Sequence, residues 1–210
     1  MFDLSNCRFA FLDLETTGLS PWFGDRICKV AVVLTEGKRI KATHQQLVDP
    51  GRPLSPAAAG TNRLTDAELR GQPLFADLAG ELENCLADAV VVTHNARFDM
   101  QFLDSEFRRL GHEVQFPNLI DTLLVARHFF DLPSYTLAAL AEAFHLPVDE
   151  PHRALSDALA VKNLFFEMME AVKPAGNTLD DVIGLYNSPA WPDNGVQLPT
   201  ELDEILASRG

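Results

Sequence analysis

The sequence predicts an α/β domain built on a mixed sheet with helices on both faces. Three observations carry the prediction. Two β-prone segments flank Glu36-Gly37-Lys38 and read as a hairpin, so the sheet opens antiparallel. A short, fully apolar run, Ala89 to Thr93, stands between stretches of helical spacing, as a buried strand does. Finally, 210 residues with 47% hydrophobic and 22% charged composition suffice for one core and suit one domain with a short appendage.

Taken in order, residues 8–14 (RFAFLDL) are apolar and read as the first strand. TTGLSPWFGDR, with two glycines and a proline, is a loop. Ile27 to Thr35 and Arg39 to Val48 form the hairpin. Residues 50–73, broken by Pro50, Pro53, Pro56 and Pro73, give loops and short helical turns. Leu74 to Leu86 places apolar residues at helical spacing ahead of the buried strand. Arg97 to Leu110 is amphipathic and stops at Gly111. Leu119 to Phe130 and Thr136 to Phe144 are expected to be helices, separated by Pro133, with Pro147 ending the second. The strongest helix is Ala154 to Val172. Residues 1–174 thus form the domain, and 175–210, with Pro189, Pro192 and Pro199, is expected to be an extended tail holding one short helix near Glu201 to Leu206.

Composition narrows the function classes. No run of 18 apolar residues exists, which argues against a membrane span. The N-terminus lacks a basic segment followed by an apolar one, so no secretory signal is read and a cytoplasmic protein is expected. Cys7, Cys28 and Cys85 are odd in number and widely spaced, which suits reduced thiols better than disulfides or a metal knuckle. A net charge of −13 argues against broad electrostatic attraction to nucleic acid. It leaves open a merely acidic surface, or clustered carboxylates neutralised by divalent cations.

The acids are arranged to favour the second. Side chains alternate along a strand, so Asp13 and Glu15 share a face at the end of the first strand. Alone, such a pair is most often a solvated strand end. Two further clusters raise its weight. His94-Asn95-Ala96-Arg97-Phe98-Asp99 falls where the buried strand gives way to a helix, and sites gather at such junctions. His152-Arg153-Ala154-Leu155-Ser156-Asp157 sets a loop histidine ahead of an acid in the first turn of the long helix. Asp99 and Asp157 taken singly would be ordinary first-turn acids favoured by the helix dipole.

DLETTG at 13–18, HNARFD at 94–99 and HRALSDA at 152–158 resemble the three motifs of the DnaQ-like, DEDDh family of 3′–5′ exonucleases, which includes polymerase proofreading subunits. Order and separation match over about residues 1–172, and His152-x-x-x-x-Asp157 is similar to the histidine subgroup. The resemblance implies a ribonuclease H-like fold, a mixed five-stranded sheet with its first three strands antiparallel. It implies that Asp13, Glu15, Asp99 and Asp157 bind two divalent cations, Mg²⁺ or Mn²⁺, with His152 as general base. The chemistry agrees: oxygen-only ligands suit hard cations, and an unperturbed histidine titrates at about 6.5.

The resemblance also suggests a pocket for the 3′ end. Thr16, Thr17 and Gly18 would approach the terminal nucleotide through backbone N–H groups, Leu19 would wedge against its base, and His94, Asn95 and Phe98 would line the pocket. Leu19 and Phe98 could equally be core. Asp121-Thr122 matches a recurrent pair of the family, with Asp121 in a supporting role. Phe129 and Phe130 read as helix core, and Lys38, Arg39 and Lys41 as a solvated face. The expected substrate is the 3′ end of DNA, single-stranded or frayed, with RNA as the alternative. The apolar residues Leu179, Val182, Ile183, Leu185, Tyr186 and Trp191 leave two roles for the tail: packing on the body, or tethering to a polymerase or repair partner.

Overall fold

The computed structural model describes residues 4–147, 153–173 and 177–186. Five strands form one sheet in the order β3-β2-β1-β4-β5. β1 (Arg8–Thr16), β2 (Ile27–Glu36) and β3 (Arg39–Leu47) run antiparallel, and β4 (Val90–Thr93) and β5 (Leu119–Asp121) continue parallel to β1. The hairpin turns at Gly37, whose φ of 53° favours glycine and where a Cβ would stand 2.7 Å from the Ser5 carbonyl oxygen.

The helices are α1 (Pro56–Asn62), α2 (Asp66–Leu69), α3 (Phe75–Ala87), α4 (Ala96–Arg109), α5 (Thr122–Phe129), α6 (Leu137–Ala143), α7 (Ala154–Val172) and α8 (Leu179–Tyr186). They pack two cores against the sheet. On one face Phe9 and Phe11 of β1 meet Phe165 and Phe166 of α7, with ring centroids 5.1–5.9 Å apart. On the other, Ala10, Leu12 and Leu14 meet Phe102, Leu103 and Phe107 of α4 and Phe75 of α3. β1 is therefore apolar on both faces for most of its length, as a central strand must be.

Two expectations are corrected. Residues 119–121 are a strand, not the start of a helix. Leu119 and Ile120 are apolar residues covered on both faces, and a run that short has no readable period. Asp121 then caps the helix that follows, its side chain accepting from Leu123 N–H at 2.9 Å. The second correction is α8, within the segment expected to be extended. Thr178 caps it through Asp181 N–H, and Val182 is buried against the layer formed by α5 and β5. The helix expected near 201–206 lies outside the described residues.

Ending the chain at Lys173 uncovers this contact. Val182 is 1% exposed, and losing one such burial costs about 1.5–3 kcal/mol. A fall in Tm of about 5 °C is expected by differential scanning calorimetry.

Candidate active site

Three segments converge at one end of the sheet, each bringing an acid. The face of β1 that carries Phe9 and Phe11 into the core carries Asp13 and Glu15 further along, because the side-chain period is two. A register shift between Glu15 and Thr16 then turns the strand into its loop. α7 covers this face and holds Asp157 in its first turn. One carboxylate oxygen each from Asp13, Glu15 and Asp157 lies within 4.8 Å of the others. Asp99 arrives from the opposite layer, in the first turn of α4, and is buried. Thr93 Oγ1 donates to it at 2.7 Å. Among the charges that act on Asp13, that of Asp99 is the largest.

The cluster resists ionisation. Burial first, then the charges of Asp99, Glu15 and Asp157, holds the Asp13 carboxyl well above the usual carboxylate range. Burial and the Asp157 charge push Glu15 from its ordinary 4.5 to about 7. Asp99 is raised by burial, opposed by the Thr93 hydrogen bond and reinforced by the charge of Asp121. Lys29, the cross-strand partner of Glu15, lowers both Asp13 and Glu15. Sequence reading passes over Lys29, although a lone charge inside ICKVAVVLT is the signal that marks it. An all-carboxylate donor set held against its own repulsion fits a hard divalent cation, which would relieve that repulsion.

Asp121 organises the second motif. Its carboxylate accepts from Asn95 N–H at 3.0 Å and Ala96 N–H at 2.9 Å as well as from Leu123. It thereby satisfies the N-termini of both α4 and α5. Asn95 has φ 65°, a left-handed conformation that asparagine tolerates, and its own side chain makes no cap bond. Thr122 Oγ1 donates to the Thr93 carbonyl at 3.1 Å and lies 3.0 Å from His94 Nδ1. Loss of contact with water pushes the His94 imidazole down to about 4, so it is neutral at pH 7. Replacing Asp121 by alanine strands three N–H groups, each worth about 1–3 kcal/mol if buried and unpaired. Marked loss of thermal stability and a lowered kcat are expected, measured by melting and by turnover on one oligonucleotide.

The first-motif loop modifies the expected contacts. Thr17 N–H is already given to the Arg26 carbonyl at 2.9 Å and does not face outward as a donor. Gly18 N–H has no partner among the described residues. Thr16 Oγ1 donates to the Gly18 carbonyl at 2.6 Å. A Cβ on Gly18 would collide with the Asp25 carboxylate. Leu19 is 57% exposed, which removes the core reading. Phe98 is half-buried and packs on Phe102 with centroids 5.0 Å apart. His152 lies outside the described residues.

A five-stranded mixed sheet with acids gathered at the end of its central strand is the architecture of ribonuclease H-like exonucleases. A solved structure of that class, exonuclease X in complex with 5′ overhanging duplex DNA, superposes with a TM-score of 0.67 at 27% identity, covering 85% of this chain and 98% of that one. The family profile described as an exonuclease, RNase T, matches residues 10–165, and the chain belongs to that family. It is 33% identical over 170 residues to a DNA polymerase III PolC-type protein of Caldanaerobacter subterraneus subsp. tengcongensis, covering 80% of this chain and 12% of that protein. It is 30% identical over 167 residues to the 3′-5′ exonuclease DinG of Bacillus subtilis, covering 79% of this chain and 18% of that protein. The chain therefore spans under a fifth of the length of these two relatives. The family is one of exonucleases. No helix among the described residues is long and apolar enough to cross a membrane.

Proposed function

We propose that the protein removes nucleotides one at a time from the 3′ end of DNA, releasing nucleoside 5′-monophosphates, in proofreading or repair. The observation that carries this reading is the approach of the Asp13, Glu15 and Asp157 oxygens to within 4.8 Å, in a chain of the exonuclease family. DNA is favoured over RNA because the first relative is named for DNA polymerase III and the exonuclease X complex contains DNA.

In this reading Asp13, Glu15, Asp99 and Asp157 hold two divalent cations, Mg²⁺ or Mn²⁺. Such ions, when bound, polarise the scissile phosphate and ease ionisation of the attacking water. The protein's own groups do the rest. Glu15 and Asp157 close the cluster from the α7 side, and Thr93 fixes the orientation of Asp99 from the α4 side. Gly18 N–H faces the terminal nucleotide, and Leu19 wedges against its base. Asn95, its backbone N–H held by Asp121, offers its amide to the same nucleotide, beside neutral His94 and the ring of Phe98. His152, five residues ahead of Asp157, takes the proton from water.

His152→Ala is expected to lower kcat by about 10²–10⁴-fold while leaving metal affinity unchanged, because it removes a base and no ligand. Turnover and isothermal titration with Mn²⁺ check the two halves. The substrate is tested by digesting matched, 5′-labelled DNA and RNA oligonucleotides with paired and mispaired 3′ ends. Preference for RNA would reassign the enzyme to RNA trimming within the same family.

A polymerase partner is the second part of the proposal, supported by the names of the relatives. Packing of α8 on the body supports the packing role for that part of the tail. A tether would lie in residues 187–210 or in another surface.

A further inference from the structure

Beyond the acids and Leu19, the loop leaving β1 holds two large rings in water: Trp22 is 81% exposed and Phe23 80%. They sit on a single 3-10 turn, Pro21–Phe23. The loop is held shut on itself and on the body. Asp25 accepts from Thr17 Oγ1 at 3.2 Å and Ser20 N–H at 3.1 Å, and pairs with Arg52 at 3.0 Å. Arg26 grips buried Glu106 of α4 through two bonds of 2.6 and 2.7 Å. A loose loop would fold its rings onto the protein; this frame keeps them out.

The surroundings indicate what covers the rings. Trp22 borders a recess of 270 Å³ whose far wall is α4, with Gln101, Asp104, Ser105, Arg108 and Arg109. Arg108 is held between Asp104 at 2.8 Å and Glu113 at 3.6 Å, whereas Arg109 has no ion pair among the described residues. α4 starts beside the acids at Asp99 and ends at these arginines, a run of about 14 Å at 1.5 Å per residue. That distance suits a few nucleotides, each at least about 3.4 Å long. An exposed indole face beside the Arg109 guanidinium, on the loop that leaves the acid-bearing end of β1, matches the stacking platforms of single-strand binders. Arg109 also supplies local attraction for a polyanion on a chain of net charge −13.

We propose that Trp22 and Phe23 form a stacking platform for bases upstream of the terminal nucleotide, with Arg109 facing an intervening phosphate. The proposal rests on the exonuclease reading of the acid cluster. It makes the enzyme sensitive to the length of single strand it is given.

The chain has two tryptophans, so Trp191→Phe leaves Trp22 as the sole reporter. In EDTA, an oligothymidylate of about ten nucleotides is expected to quench Trp22 fluorescence, and a dinucleotide is not. In Mg²⁺, Trp22→Ala and Phe23→Ala are each expected to raise KM for the long strand about tenfold, with kcat and the dinucleotide KM unchanged. Trp22→Phe keeps a ring and restores most of the affinity. Absence of quenching together with variants that match the wild type on the long strand would overturn the platform while leaving the exonuclease reading intact. Quenching by the long strand in a protein that hydrolyses neither substrate would sustain the platform and sink the exonuclease reading.

Discussion

Replacing Asp13 or Asp157 by alanine is expected to lower kcat by about 10³-fold or more in Mg²⁺ or Mn²⁺, with the fold intact. The magnitude follows from the several kcal/mol that metal-ion catalysis contributes, at about 1.4 kcal/mol per factor of ten. The two residues belong to different elements but share one oxygen cluster, so loss of either opens the same ligand set. Intactness follows from the electrostatics. Asp13 is held above the ordinary carboxylate range by burial and by three neighbouring acids, so its ionised form opposes folding. Without metal, Asp13→Ala should therefore melt at or above the wild-type temperature. Near-normal turnover in either purified variant would defeat the assignment.

The second large effect is a reversal of the pH dependence of stability by divalent cations. Glu15 rises from 4.5 in its ordinary state to about 7 in the fold, and Asp13 and Asp99 move the same way. Between those values the folded chain holds more protons than the unfolded one. His94, pushed down to about 4, works the other way between about 4 and 6.5. The three raised acids outnumber it, so stability of the metal-free protein falls as pH rises from about 4.5 to 7 and beyond. For Glu15 alone, 8% exposed, the change amounts to roughly 3 kcal/mol. Cations bind the ionised acids of the folded state only and oppose this loss, increasingly as pH rises. Melting curves at pH 5 and pH 8, in EDTA and in excess Mg²⁺, should show opposite trends. Parallel trends would mean the acids bind no ion. Lys29→Met should steepen the metal-free decline, since Lys29 lowers both Asp13 and Glu15.

The acids that the fold gathers were legible in the sequence because their constraint is local. Asp13 and Glu15 show their shared face through strand alternation, and Asp99 and Asp157 show theirs as first-turn acids following a buried strand and a loop. What stayed hidden depends on contacts between distant segments. Leu119 and Ile120 are a strand only because β4 lies alongside, and three residues carry no period of their own. α8 is helical in a segment rich in prolines further on, because Val182 finds a buried seat against β5 and α5. Lys29 gains its role from lying across from Glu15, which only the strand register reveals. Trp22 and Phe23 fall in a stretch that reads as a loop, and the letters do not say which way its rings face. The loop is anchored by the Arg26–Glu106 clasp, which joins positions 80 apart in the chain.

The division of labour along β1 has a further consequence. Its inner half is wedged among the rings of Phe165 and Phe166, and its outer half aims the acids. In the proposed function, catalysis and structural integrity thus share one rod of backbone. Thinning that aromatic wedge, as with Phe11→Leu, would let the rod rock and blur the aim of both carboxylates, so such an enzyme would slow at temperatures where it had not yet begun to melt.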